Sequence, residues 1–255
     1  QEALETLSIH SISNNGCINL HGWKNRPFRN PHHTVSAIAL VGGGSHPKPG
    51  EISLAHNGVL FLDEFPEFAR SVLETLRQPV ETGDVVVARA NAHVRYPCKF
   101  MLLAAANPCK CGFLTDPERA CARVPLCGDE YLGRISGPLM DRFDIKVEIP
   151  PVEVSDLSQP PAAEGSAEVA VRVSQAREIQ RERFAKYDGM STNSDAEGAL
   201  LEAIAEPTTE GRKLLGEMAQ HFRMSARAYH RILRVSRTIA DLEGERIVQR
   251  HHIAE

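Results

Sequence analysis

Apolar residues along this chain change their spacing part-way through it. In the first half they come in short unbroken runs stopped by glycine, proline or charge, and beyond residue 168 they recur every three to four positions. The run Val59-Leu60-Phe61-Leu62 is entered from Gly58 and stopped by Asp63-Glu64. A run this short predicts a parallel strand buried on both faces, with two carboxylates at its C-terminal end. Residues 66–78 predict a helix, with Pro66 in its first turn and Phe68, Val72, Leu73 and Leu76 on one face. Residues 84–96 read as a β-hairpin with Ala90-Asn91-Ala92 at its tip. Residues 100–106 predict a second buried strand that ends at Asn107-Pro108. Residues 130–139 read as part-helical, and 145–149 as a third strand stopped by Pro150-Pro151.

The flanks complete the outline. Residues 1–12 predict a helix. Residues 13–57, rich in Gly, Pro, His and Asn, predict a long loop with one short element around 35–41, and loops of that length are usually functional. Pro160-Pro161 and small residues make 151–167 a linker. Four helices follow, at 169–187, 195–205, 210–221 and 225–243. The expected organisation is an α/β part over 1–150, a linker and linker helix over 151–190, and a helical domain over 191–255.

Composition narrows the function classes. Of 255 residues, 42% are hydrophobic and 24% charged, as in ordinary globular chains. A net charge of −4 gives no global signal for nucleic acid, so any such surface must be local. No apolar run approaches a membrane span, and the acidic start Gln1-Glu2-Ala3-Leu4-Glu5 is not a signal peptide. The expected location is cytoplasmic. The absent initiator Met suggests a piece of a longer protein.

Four of the six cysteines, Cys109, Cys111, Cys121 and Cys127, fall within one loop. Four thiolates would close a tetrahedral Zn²⁺ site, with Cys98 or a histidine able to replace one of them. The alternative is reduced thiols in a loop. Cys17 is isolated.

Carboxylates at the C-terminal end of a buried parallel strand sit where open α/β sheets bind ligands. Asp63 would there hold the water shell of Mg²⁺ on a nucleotide, and Glu64 would polarise the attacking water. The plainer reading is an acidic N-cap pair before Pro66. On the last predicted helix, Arg227, Arg231 and Arg234 share a narrow sector opposite Tyr229, Ile232, Ser236 and Ile239. Periodicity alone makes that arginine row a solvated face.

The order of these elements resembles the AAA+ ATPase module: the strand with Asp63-Glu64 as Walker B, Asn107 as sensor 1, and Leu139-Met140-Asp141-Arg142-Phe143-Asp144 around an arginine finger. The wording is closer still to the bacterial ComM (YifB) family of magnesium-chelatase-like ATPases. The residues that carry it are Arg26-Pro27-Phe28-Arg29-Asn30-Pro31-His32-His33, Gly42-Gly43-Gly44, the stretch from Pro49-Gly50-Glu51 to Asn57-Gly58, and Ser225-Ala226-Arg227-Ala228-Tyr229-His230-Arg231. This resemblance spans essentially the whole chain. It implies a partial AAA+ P-loop NTPase core, a parallel sheet with helices on both faces, followed by an all-helical lid. It also implies ATP and Mg²⁺ as cofactors and a hexameric DNA motor that drives branch migration in natural transformation. Asp63, Glu64 and Asn107 would act in cis, and Arg142 in trans with Arg134 as its competitor. Arg227 would be sensor 2. The 84–96 hairpin, with Arg89, His93 and Arg95, and the 42–57 segment, with Lys48 and His46, would face DNA in the ring pore.

The chain contains no Gly-x-x-x-x-Gly-Lys-Ser/Thr, and Gly42-Gly43-Gly44-Ser45-His46-Pro47-Lys48 is no substitute, because its prolines oppose the helix such a loop must open. In the AAA+ fold the Walker A strand lies between the sensor 1 strand and the strand after the arginine finger. Without it, two inner strand edges should stand exposed, and ATP should bind poorly or not at all. Two rival readings are a chelatase-type motor that remodels a partner protein and a zinc-stapled adaptor without catalysis.

Overall fold

The computed structural model describes residues 1–13, 22–44, 47–89, 92–114, 118–150, 152 and 164–255. His46, Cys17, the hairpin tip 90–91 and most of the expected linker lie outside the described residues. The chain divides into two units, Gln1–Phe143 and Asp144–Glu255. Among the described residues no helix is long and apolar enough to cross a membrane.

The first unit is organised by a parallel sheet of three short strands, in the order β1 (Phe28–Arg29), β4 (Val59–Leu62) and β7 (Met101–Ala104). Leu60 and Leu62 are fully buried and anchor the core with Leu40, Ile52, Leu73, Leu76 and Leu139. The opposite face of β4 is only half-covered, with Phe61 stacked on the exposed Phe28 at 6.1 Å between ring centroids. Two-sided burial of this strand therefore holds for one face alone. Gly58 is required where β4 enters: a Cβ there would stand 2.0 Å from the Pro27 carbonyl oxygen and force β1 away.

Around the sheet lie α1 (Glu2–Ser13), α2 (Ala37–Val41), α3 (Glu51–Leu54), α4 (Arg70–Glu74), α5 (Arg77–Thr82), α6 (Leu126–Leu132) and α7 (Gly137–Met140). A two-stranded ribbon, β2 (Gly42–Gly43) and β3 (Lys48–Pro49), closes the Gly-rich segment. The helix expected over 66–78 is divided. A 3₁₀ turn occupies Phe65–Glu67, Phe68 is extended, and α4 gives way to α5 where Pro79 has no N–H for the Thr75 carbonyl. The hairpin forms as β5 (Asp84–Arg89) and β6 (Ala92–Pro97), in register from Asp84↔Pro97 to Arg89↔Ala92. Its Val85, Val87 and Tyr96 face is buried, and Val86, His93 and Arg95 face solvent.

The strand expected at 145–149 does not form. Residues 144–150 are irregular, with Ile145, Val147 and Ile149 exposed at 67%, 75% and 85%. Among the described residues no strand pairs with them, and an extended segment without a hydrogen-bonded neighbour gains nothing from β geometry. Among the described residues the outer edge of β7 is likewise unpaired, with Met101 65% and Leu103 49% exposed.

The second unit contains α8 (Ser166–Phe184), α9 (Gly198–Ile204), α10 (Thr209–His221), α11 (Ala226–Glu243) and α12 (Arg250–Ala254), the last unforeseen from periodicity. Phe184, Leu201, Leu215, Leu233, Val248 and Ile253 form its core. Beside that core, buried Asp241 accepts from Arg183 Nη2 at 2.5 Å, Arg237 Nε at 3.2 Å and Asn193 Nδ2 at 2.8 Å. The Arg237 guanidinium also caps the carbonyls of Glu245 and Arg246 where α11 ends at Gly244.

Candidate functional site

Because β1, β4 and β7 are parallel, their C-terminal ends lie on one side of the sheet. His32-His33, Asp63-Glu64 and Asn107 follow those ends in turn. The junction is stitched by backbone hydrogen bonds: Ala105 N–H donates to Leu62 O at 3.0 Å, and Phe65 N–H donates to Ala105 O at 2.9 Å. Asp63, Glu64 and Asn107 are all exposed there.

The two acids are held differently. Asp63 Oδ1 accepts the Glu64 N–H at 2.9 Å. Glu64 is left-handed, at φ 51°, which aims its side chain back across the sheet end. Its Oε2 lies 3.0 Å from His33 Nδ1. The His33 ring is packed between His32, at 4.1 Å, and the edge of Phe68, at 6.4 Å. Spacing alone gave His33 no role, although it sits in the segment that carried the family wording.

The two arginine candidates differ sharply. Arg134 Nη1 reaches Pro66 O at 3.4 Å and Glu67 Oε2 at 3.3 Å, in the turn that directly follows Glu64. Its guanidinium stands 5.7 Å from the centre of the Tyr131 ring. Burial, then the negative charges of Glu67 and Glu64, pushes the Tyr131 phenol up. Arg142 is only 10% exposed, paired with Glu81 and donating to Pro138 O at 2.5 Å, with its Nε buried and without a partner. Phe143 beside it meets Phe65 edge to face at 5.5 Å, so the two segments are packed together.

Asp63 offers Mg²⁺ the hard oxygen donor such an ion needs. The phosphate side is not matched within these 255 residues, which lack a Gly-Lys-Ser/Thr loop.

On the hairpin, Arg95 is exposed and paired with Asp84, and His93 is exposed on the same face. Arg89 ends β5 by its backbone, and its side chain is outside the described part. Tyr96 Oη donates to Pro47 O at 2.8 Å, so the hairpin and the ribbon that bears Lys48 are neighbours. Arg227 is exposed at the start of α11, whose N-cap Ser225 accepts the Ala228 N–H. The arginine row does not stay on the surface throughout: Arg234 Nε bonds Ala196 O at 3.2 Å.

In the cysteine loop, the sulfurs of Cys109, Cys111 and Cys127 lie within 4.8 Å of one another. The Cys109 thiol, with backbone N–H groups, draws Cys111 down to about 6, while burial and its sulfur neighbours push Cys127 up to about 12.

A family model for "Magnesium chelatase, subunit ChlI" matches residues 1–157, and a model for its C-terminal part matches 163–255. The chain belongs to the magnesium chelatase ChlI family. Within that family its resemblance to the ComM and YifB branch holds over its full length. It is 45% identical to the competence protein ComM of Haemophilus influenzae, covering all of this chain and 48% of that protein. Against the protein YifB of Escherichia coli the identity is 42%, again over the whole chain and 49% of the relative. The 38 kDa magnesium-chelatase subunit of Cereibacter sphaeroides is 26% identical over 44% of this chain and 27% of its own length. The chain thus spans about half the length of ComM and YifB. A three-stranded parallel sheet with helices, followed by an all-helical unit, is a partial AAA+ core with its helical domain, as the ChlI family leads one to expect.

Proposed function

We propose that these residues form the Walker B side of an ATP-hydrolysing AAA+ motor that acts on DNA as part of a longer protein. The observation that carries the reading is the convergence of Asp63, Glu64, His33 and Asn107 at one end of a parallel sheet. Asp63 would hold the Mg²⁺ hydration shell of ATP. Glu64 takes a proton from the attacking water, and Asn107, able to donate and accept at once, orients that water or the γ-phosphate. The bound Mg²⁺·ATP supplies the scissile phosphoanhydride and the charge neutralisation.

Transition-state charge on the phosphoryl group is met by a guanidinium from a neighbouring subunit, so the working form is a ring, a hexamer by family resemblance. Arg142 is assigned that role, and it must leave Glu81 to fill it. Arg227 is assigned as sensor 2. Arg89, His93 and Arg95 on the hairpin and Lys48 on the ribbon contact DNA phosphates. Similarity to a protein named for competence supports a task in competence, and branch migration of recombining DNA is the task the family resemblance suggests.

The test is Glu64→Gln in the full-length protein. Nucleotide binding persists while ATP turnover falls by about 10²–10⁴-fold, the usual contribution of a general base, and branch migration stops. Unchanged turnover removes the assignment. A second reading, remodelling of a protein partner, is favoured by the similarity to the magnesium-chelatase subunit. It predicts turnover that DNA does not stimulate.

A further inference from the structure

The loop between Asn107 and α6 is held together by sulfur rather than by apolar packing. Phe113 and Val124 are 42% and 40% exposed, Leu126 at the start of α6 is 63% exposed, and none of the described residues between 109 and 127 joins the core of the first unit. Yet Cys109 is completely buried, with the sulfurs of Cys111 and Cys127 around it. The backbone is shaped to gather them. Gly112, at φ +81°, closes a turn in which its N–H bonds Cys109 O at 3.0 Å, so Cys109 and Cys111 face one point. On the far side, a Cβ on Gly128 would stand 2.9 Å from Leu114 Cδ2 and 3.3 Å from Pro108 O. Glycine there lets the two ends of the loop close on each other, which carries Cys127 to Cys109.

The sulfur spacing suits a metal better than a disulfide. Cys109 and Cys111 are 3.0 Å apart, too far for an S–S bond of about 2.05 Å, and the described cysteines are free thiols. Sulfurs at about 2.3 Å from a tetrahedral Zn²⁺ stand about 3.8 Å from each other, within the span of this trio. Cys121, outside that trio, is a free thiol of the same loop and the remaining sulfur available as a fourth ligand. Four soft thiolates with no oxygen donor among them select zinc over Mg²⁺ or Ca²⁺.

We propose that Cys109, Cys111, Cys121 and Cys127 bind a structural Zn²⁺ that staples the segment following β7, at Cys109 two residues beyond Asn107, to the start of α6, which leads to Tyr131 and Arg134. Binding releases the thiol protons to solvent, and no electron transfer is involved. The site stands independently of the ATPase reading, because its primary readout is metal content.

The experiment uses the full-length protein purified from zinc-supplemented medium without chelator. Elemental analysis is expected to give one zinc per chain. The four loop thiols should resist a thiol reagent until a strong chelator is added, while Cys98 behaves the same before and after. Cys109→Ser and Cys127→Ser should each lose the zinc. Cobalt exchanged into the wild-type protein provides a second measurement should those variants fail to fold: it should give the charge-transfer and visible bands of a tetrahedral thiolate site, weakened in Cys121→Ser. Zinc-free protein whose loop thiols react at once overturns the proposal. So does iron in place of zinc, or a mass two hydrogens short that marks a disulfide. Retained zinc in a Glu64→Gln protein with unchanged turnover would reject the catalytic reading and leave the metal site standing.

Discussion

His33 Nδ1 lies 3.0 Å from Glu64 Oε2, and the backbone of Glu64 is left-handed at φ 51°. A non-glycine residue in that region is uncommon and costs energy, and such residues gather at functional sites. The contact joins the end of β1 to the end of β4. While His33 holds that Glu64 oxygen, the oxygen faces the imidazole rather than an attacking water.

His33→Ala should therefore raise ATP turnover in the absence of DNA, by about tenfold if one hydrogen bond to a charged group is released. The ratio of DNA-stimulated to unstimulated turnover should shrink accordingly. Steady-state ATPase assays with and without DNA measure both. An unchanged ratio would mean that the contact is only packing.

Arg142 and Arg134 can be separated by their present partners. Arg142→Ala should lower kcat by about 10³-fold, the scale of a lost arginine finger, with ATP affinity little changed. Glu81→Gln frees Arg142 without removing it and should keep activity. If both variants lose activity alike, the Arg142–Glu81 pair is structural. The finger role then passes to Arg134, which is more exposed but bonded to Glu67 of its own chain.

Arg95 stands 73% exposed on the solvent face of the hairpin, with Asp84 as its partner at the hairpin base. If it contacts a phosphate, Arg95→Ala should weaken DNA binding uniformly across sequences. It should also reduce the salt slope of log K by about 0.7–0.9, one released counterion. Fluorescence anisotropy over a salt series reads this directly, and an unchanged slope places Arg95 outside the DNA path.

Asp241 is the buried counter-ion of Arg183 and Arg237. Burial alone would raise its pKa, but the hydrogen bonds from Arg183 and Asn193 and the charge of Arg237 win and hold it below the usual aspartate range. A depressed carboxyl contributes stability that is present above its unfolded pKa and is lost as pH falls through its folded one. Asp241→Asn should destabilise the second unit by about 3–5 kcal/mol at neutral pH, since two guanidinium groups lose their counter-charge. It should also flatten the acid limb of the stability curve. Hydrogen exchange in peptides from α8 and α11 localises the effect, and wild-type protection in the variant would contradict it.

What was legible in the sequence was whatever depends on neighbours along the chain. The Val59–Leu62 strand, the hairpin and the helices α10 and α11 follow from apolar spacing and from Gly58, Ser225 and Gly244 at their ends. Where periodicity failed, a partner was at issue. Residues 145–149 have the apolar content of a strand and form none, because a strand is defined by its neighbour. The 66–78 helix divides because Pro79 cannot donate.

The sequence by itself determined the order of the candidate site, Asp63-Glu64, then Asn107, then Arg134 and Arg142, and the residue types available for metal and phosphate chemistry. Only the tertiary structure decided that His33 meets Glu64, that Arg142 faces Glu81, and that three of the four loop cysteines share one point. Side chains as far apart in the chain as Glu81 and Arg142 are brought into contact by strand pairing and core packing. Local propensity constrains neither, because the free energy that fixes such contacts comes from burial shared across the whole unit.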